Sequence, residues 1–276
     1  MLKEGKPTDG KVHGNLIIIG GAEDKQGAKE ILKEAALACG GENGRMAVVT
    51  TASQEPIPSG ENYCALFSGL GVKEVRPADI KTRREANDPA ITEMLQNATG
   101  IFFTGGDQLR ITSVLGGTGA ETAIREAFLG GALVAGTSAG ASVVCSTMIT
   151  DGLSNEAARK CTLKMAPGLG LISQVIVDQH FAQRGRLGRL LCGVAENPHS
   201  LGVGIDENTA IRVFPDARFR VLGDGAVTVI DGRGITHANV SELKPDEILA
   251  IAHVTIHVLP RGYGYDMENH QILLPS

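Results

Sequence analysis

The sequence predicts an α/β fold: a doubly wound, mainly parallel sheet with an antiparallel C-terminal extension. Three observations carry this expectation. Short β-branched runs alternate with helical patterns from Asn15 to Ile205, the signature of successive βα units. Several of these runs end in glycine-rich or polar turns, at the edge where open α/β sheets bind ligands. From Ala210 onward the helical patterns give way to short strands separated by Pro215-Asp216, Gly223-Asp224-Gly225 and Asp231-Gly232, as in an antiparallel meander or an edge extension of the same sheet.

Taken in order, Asn15–Gly20 reads as a buried first strand that stops at Gly20-Gly21. Ala28, Ile31, Leu32, Ala35, Ala36 and Cys39 then recur on one helical face, and Gly40-Gly41 closes that helix. Met46–Thr51 is the second strand, Tyr63–Leu70 lies in the next helix, and Glu74–Ile80 is the third strand. Ile91–Ala98 is helical, and Ile101–Thr104 is a strand leading into Gly105-Gly106-Asp107-Gln108. Leu109–Leu115 and Glu121–Leu129 are two helical pieces broken at Gly116-Gly117. Ala132–Ala135 is the next strand, and Ala139–Met148 reads as a helix rich in small residues. Val175–Val177, Arg186–Ala195 and Gly202–Ile205 follow as strand, helix and strand. Ile211–Phe214, Phe219–Leu222, Ala226–Ile230 and Val254–Leu259 are the short C-terminal strands. No linker, repeat or low-complexity run divides the chain. One domain over 1–276 is expected, with a polar tail at 1–14 and a β-rich extension at 210–276.

Composition narrows the function. A net charge of −5, no tryptophan and only three tyrosines provide neither the positive field nor the stacking surface of a nucleic-acid binder. The five scattered cysteines contain no Cys-x-x-Cys pair, so reduced thiols are expected rather than disulfides or a zinc site. Residues 127–150 carry no charge over a membrane-spanning length. Their Gly, Ser and Thr content fits a strand-turn-helix buried in protein better than a helix in lipid. A soluble cytoplasmic protein without nucleic-acid or membrane partners is the expectation, and neither a metal nor a cofactor is called for.

The chemistry centres on Gly136-Thr137-Ser138-Ala139-Gly140, a Gly-x-Ser-x-Gly between strand and helix. That is the context of a nucleophile elbow, which exposes the serine Oγ at the sheet edge. The bland counterpart is a glycine-rich turn whose serine caps a helix. A serine nucleophile needs a base, and the base needs an orienting acid. Of seven histidines, His180 alone ends a buried strand, in Val-Asp-Gln-His-Phe. Glu207 also follows a strand and is the candidate acid, with neighbouring Asp206 as its rival. The order serine, histidine, acid differs from that of the α/β-hydrolases. Gly106 N–H can join Ala139 N–H as an oxyanion hole, or Asp107 simply caps the next helix, and the two are compatible. Arg184, Arg186 and Arg189 form either a solvated helix start or a clamp for substrate carboxylates, beside an Asp178 able to hold a cation.

These residues together resemble the cyanophycinase family, which is related to aspartyl dipeptidase E and to a serine variant of the class I glutamine-amidotransferase fold. The resemblance runs from Asn15 to about Met267. It is anchored by Gly20-Gly21-Ala22-Glu23, Thr104–Gln108, Gly136–Ser142, Gly204–Asn208 and His257–Pro260, and most specifically by Asp-Gln-His-Phe-x-x-Arg-x-Arg-x-x-Arg at 178–189. It implies a class I glutamine-amidotransferase-like, flavodoxin-like sheet. The implied activity is release of β-Asp-Arg dipeptides from cyanophycin, a polyaspartate with arginine on each β-carboxyl. It further implies Ser138 as nucleophile, His180 as base and Glu207 as orienting acid. Gln108, Asp178, Gln179, Arg184, Arg186 and Arg189 would form the substrate pocket, and the partner expected beyond the polymer is a second copy, in a homodimer. The alternatives are an aspartyl dipeptidase and a catalytically silent binding module of the same fold.

Overall fold

The computed structural model describes residues 14–160 and 162–275, so the expected tail, apart from Gly14, and Cys161 lie outside the described residues. The first half alternates as expected: β1 (Asn15–Ile19), α1 (Glu30–Ala38), β2 (Arg45–Val49), α2 (Pro56–Gly69), β3 (Glu74–Ala78), α3 (Pro89–Gln96), β4 (Gly100–Phe103), α4 (Gln108–Leu115), α5 (Gly119–Leu129) and β5 (Leu133–Thr137). The five strands pair in parallel in the order β1-β5-β4-β2-β3. β1 is apolar from Leu16 to Ile19 because both faces are covered. Leu16 and Ile18 enter the core beneath α3, α4 and α5, while Ile17 and Ile19 enter the core beneath α1 and α2. Phe102 is fully buried against Tyr63 and Phe67 of α2, with ring centroids 4.7 and 5.1 Å away. β3 is an edge strand, which lets it carry Pro77 without losing a ladder bond.

Next come α6 (Ala139–Val143), β6 (Thr147–Gly152), β7 (Leu163–Pro167), β8 (Val175–Gln179), α7 (Leu187–Glu196) and β9 (Leu201–Ile205). The helix expected over Ala139–Met148 is therefore too long. Its small residues hold one and a half turns against β4, where a Cβ on Gly140 would lie 2.5 Å from Phe103 O. Cys145 already bridges to Ile172, and the β-branched run from Thr147 pairs with β7 as a hairpin that the sequence pattern did not reveal.

The remaining strands are β10 (Thr209–Val213), β11 (Arg218–Gly223), β12 (Ala226–Asp231), β13 (His237–Ala238), β14 (Ile251–Ala252), β15 (Thr255–Pro260), β16 (Gly264–Asp266) and β17 (Gln271–Leu273). β10 and β11, read as strands from the sequence, extend the main sheet antiparallel from β1, and β16 and β17, which the sequence reading lacked, carry it to nine strands among the described residues. β12 and β15 depart from the expected extension. They join β9 and β8 in a separate sheet ordered β15-β12-β9-β8, in which β8 and β9 are parallel and linked by α7. Val177, Val203 and Val229 of this sheet share one core with Leu16 and Val134 of the main sheet. No helix among the described residues is long and apolar enough to cross a membrane.

Phe102→Ala should destabilise the protein by about 3–5 kcal/mol, since it empties an aromatic site that the sheet backbone cannot collapse into. Denaturant unfolding followed by circular dichroism reads this directly, and a loss well under 1 kcal/mol would contradict the packing described.

Candidate active site

Strand register brings the chemistry together. Ile19 pairs with Thr137, so Gly20 and Ser138 are the first residues beyond the paired ends of β1 and β5. Gln179 pairs with Ile205 in the second sheet, so His180 and Asp206 stand in the same position there. Only Asp206-Glu207-Asn208 separate β9 from β10, and this bridge joins the two sheets beside the ends of all four strands.

The turn leaving β1 ties these segments with three successive carbonyls. Ile19 O accepts Ser138 N–H at 3.1 Å, Gly20 O accepts His180 N–H at 2.8 Å, and Gly21 O accepts Asn208 N–H at 2.9 Å. Ser138 (φ 54°), His180 (φ 47°) and Asn208 (φ 47°) all occupy positive φ, a backbone state that ordinary residues keep only where surroundings enforce it. Gly21 sits under the His180 ring, where a Cβ would lie 2.3 Å from Cε1. Gly136 is equally constrained, because its Cβ would be 2.2 Å from Gly140 O across the elbow.

Ser138 Oγ lies 3.0 Å from His180 Nε2, and His180 Nδ1 lies 2.6 Å from Glu207 Oε1. A carboxylate on Nδ1 holds the proton on that nitrogen and leaves Nε2 free to accept the serine proton. Asp206 is turned elsewhere: its carboxylate accepts the backbone N–H of Ala182 at 3.0 Å and of Ala226 at 3.1 Å. The two adjacent acids thus divide, one facing the imidazole and one fastening the His180 loop to β12. Burial holds the His180 pKa below its ordinary value; the Glu207 hydrogen bond and charge pull it up, and the charges of Arg184 and Arg186 add to the lowering.

The Gly105-Gly106 turn lies against the serine, with a Cβ on Gly105 reaching to 3.5 Å from Ser138 Cβ. Gly106 has φ 141° and packs on Ala52 O, where a Cβ would be 1.9 Å away. Asp107 does cap α4, accepting Leu109 N–H at 2.8 Å. Gln108 Nε2 donates to Ile149 O and Thr150 O at 2.9 and 3.2 Å, so the unforeseen β6 strand forms one wall of the site. Gln179 Oε1 lies 3.5 Å from Ser138 Oγ.

The charged cluster departs from the solvated-helix reading of the sequence. Arg186 and Arg189 are buried, not a solvated helix face. Arg189 grips Asp178 through Nε and Nη2 at 2.6 and 2.5 Å and also reaches Gly152 O. Arg186 Nη1 donates to Asp178 Oδ1 at 3.3 Å and to Gln179 O at 2.6 Å. The Asp178 side chain is 1% exposed and engaged by two internal cations, so it is not open to a substrate cation. Burial pushes the Arg186 guanidinium down to about 10. Arg184 is exposed, and its backbone N–H closes a turn on His180 O. Two buried arginines against one aspartate leave a net positive charge behind the histidine.

Gly21 and Asn208 are the residues whose contribution sequence reasoning missed. The double glycine at the end of a strand was the available signal, but nothing local discloses that a histidine far along the chain rests on it. Among the described residues, no group of three or more His, Cys, Asp or Glu side chains is arranged to hold a metal ion.

The chain matches peptidase family S51 over residues 16–221. A cyanophycinase from Geminocystis herdmanii is 38% identical over 258 residues, covering 93% of this chain and 95% of that one. A cyanophycinase from Trichormus variabilis is 39% identical over 259 residues, covering 94% and 87%. The crystal structure of a peptidase from an acI-B1 Actinobacterium superposes with a TM-score of 0.60 at 24% identity, covering 90% of this chain and 99% of that one, a likeness of fold.

Gly21→Ala should displace the imidazole from the serine while leaving the sheets folded. We expect a loss of hydrolytic rate on the order of a hundredfold, the scale of an ångström-sized misplacement. Wild-type rates in a normally folded Gly21→Ala protein would show that the glycine does not support the histidine.

Proposed function

The chain belongs to peptidase family S51, and we propose that it is a cyanophycinase, a serine-type exopeptidase that releases β-Asp-Arg dipeptides from multi-L-arginyl-poly-L-aspartate. The observation that carries the chemistry is the hydrogen-bonded line from Ser138 Oγ through His180 to Glu207. The relatives that match more than nine-tenths of the chain supply the substrate class. We read the fold as the class I glutamine-amidotransferase-like, flavodoxin-like kind of doubly wound sheet, with the nucleophile on the turn after β5.

In this reading, Ser138 Oγ attacks the peptide carbonyl carbon while its proton passes to His180 Nε2. The tetrahedral oxyanion faces the N–H groups of Ala139 and Gly106. Collapse expels the amine, which takes the proton from His180, and leaves an acyl group on Ser138. Water then attacks the ester with His180 again accepting the proton, and collapse of the second tetrahedral species breaks the bond to Ser138 Oγ, returns that proton to it and releases the carboxylate product. Glu207 orients the ring and stabilises its cationic form.

Each cyanophycin repeat carries one guanidinium and one free carboxylate. We assign the carboxylate to the positive field of Arg184 and Arg186, and the guanidinium to the amide oxygens of Gln108 and Gln179. Asp178 and Arg189 build the floor of the pocket rather than touching substrate. A cytoplasmic homodimer belongs to the same proposal. The exposed Ile256 and Val258 on edge strand β15 support self-association, and a purely monomeric species in sedimentation would count against it.

Incubation with purified cyanophycin should yield β-Asp-Arg by mass analysis, whereas hydrolysis of Asp-X dipeptides without attack on the polymer would favour an aspartyl dipeptidase. Ser138→Ala should lower turnover by roughly 10⁵–10⁶-fold with the fold intact. His180→Ala should be about as damaging, Glu207→Gln milder, and Asp206→Asn milder still.

The neutral imidazole is the active form, so kcat/KM should fall toward acid with an apparent pKa below the ordinary 6.5 of histidine. Stability shifts the same way. The unfolded chain takes up the proton first as pH falls through 6.5, so the contribution of a neutral His180 is present above that value and is lost through the lower, folded pKa. An acid limb centred above 6.5 would contradict the site.

Arg184→Gln should reduce kcat/KM on cyanophycin by roughly ten- to a hundredfold without lowering the melting temperature, on the scale of one charge-assisted bond. Arg189→Gln should instead destabilise the fold by about 3–5 kcal/mol, because it leaves Asp178 under-compensated in the interior. Arg186, buried against the same carboxylate, joins Arg189 in this respect. Plain polyaspartate should be a poor substrate, and efficient cleavage of it would remove the role given to the arginyl branch.

A further inference from the structure

Glu23 is a buried carboxylate that the proposed chemistry does not use. Its side chain is 1% exposed, although removing a carboxylate from water costs several kcal/mol and an apolar residue would fill the place more cheaply. Each oxygen has a specific partner. Oε2 accepts the Thr137 hydroxyl at 2.5 Å, and Oε1 accepts the Tyr63 hydroxyl. Lys25 Nζ lies 3.4 Å from Oε1 and 4.4 Å from the centroid of the Tyr63 ring, supplying the countercharge from the half-exposed side. Burial, with the adjacent Glu23 charge, pushes the Tyr63 hydroxyl far above its ordinary pKa and keeps it a donor.

Thr137 is the last residue of β5, immediately before the positive-φ serine. A strained backbone of this kind persists only where its neighbours over-determine it. The main-chain restraint runs from Ser138 N–H to Ile19 O, and the side-chain restraint runs from Thr137 Oγ1 to Glu23. Both anchors belong to the same exit from β1 that carries Gly21 under His180. The spacing between nucleophile and base is therefore referred to one short segment, held from the elbow side by Glu23.

We propose that Glu23 is a positioning residue that acts through the Thr137 hydroxyl to fix the Ser138 elbow relative to His180. The inference rests on the reading of Ser138 as nucleophile. Labelling of the full-length protein by a fluorophosphonate tests it, because that rate reports serine–histidine alignment without the polymer substrate. Thr137→Val is nearly isosteric and removes only the donor. It should slow labelling and kcat by about ten- to a hundredfold while moving KM by less than about twofold, whereas Thr137→Ser should stay within about threefold of wild type. Glu23→Gln combined with Thr137→Val should be no slower than the slower single variant, since both act on one bond. Wild-type labelling by Thr137→Val, whatever its melting temperature, or additive losses in the double variant would overturn the proposal. Failure of the wild type itself to label would remove the nucleophile assignment, and the role of Glu23 with it.

Discussion

The serine and histidine of the proposed catalytic site hang from the backbone of one turn. Ile19, Gly20 and Gly21 offer three consecutive carbonyls, and each takes the N–H of Ser138, His180 or Asn208, residues from three distant parts of the chain. A carbonyl beyond the end of a strand must find a donor or meet water. Here the donors are Ser138, His180 and Asn208, so satisfying the exit from β1 assembles the proposed site. The turn consists of glycines because no Cβ fits: Gly20 faces Asp206 O, and Gly21 faces the imidazole.

This arrangement explains how positive φ persists at three non-glycine residues. Each such position costs of order 1–3 kcal/mol, less for asparagine, and survives only where packing and hydrogen bonds outweigh the strain. The elbow is compressed between β4 and β1, the His180 loop is fastened by Asp206 to Ala182 N–H and Ala226 N–H, and Asn208 Oδ1 accepts Asp24 N–H at 2.8 Å. The proposed site and the strain occupy the same residues because the backbone must change direction where each strand ends.

The charged floor works on a second principle. Arg186, Arg189 and Asp178 are buried together, and Arg186 Nε has no hydrogen-bond partner there. Such a group is weak evidence for stability. Its consequence is electrostatic: an excess positive charge beside His180 disfavours the imidazolium. Arg184 is the member of the arginine run that stays exposed.

Local chemistry marked Ser138 as the candidate nucleophile, because its Gly-x-Ser-x-Gly stands between a buried strand and a run of small residues. It made the alternation of β1 to β5 with their helices legible too, since short apolar runs such as Leu16–Ile19 and Met46–Val49 mark strands covered on both faces. His180 and Glu207 stood out as polar residues at predicted strand ends. What the sequence could not decide was which sheet β8, β9, β12 and β15 would join, or that a hairpin would follow the short α6. Strand partners are chosen by long-range packing that leaves no periodic trace. The choice between Glu207 and Asp206 likewise waited for the bridge between β9 and β10, whose path turns one carboxylate to the imidazole and the other to backbone amides. The arginine cluster shows the limit most plainly. Three arginines beside an aspartate look alike in sequence, but α7 sinks two of them onto Asp178 and leaves Arg184 in solvent, because burial is a property of the folded surface and not of the residue.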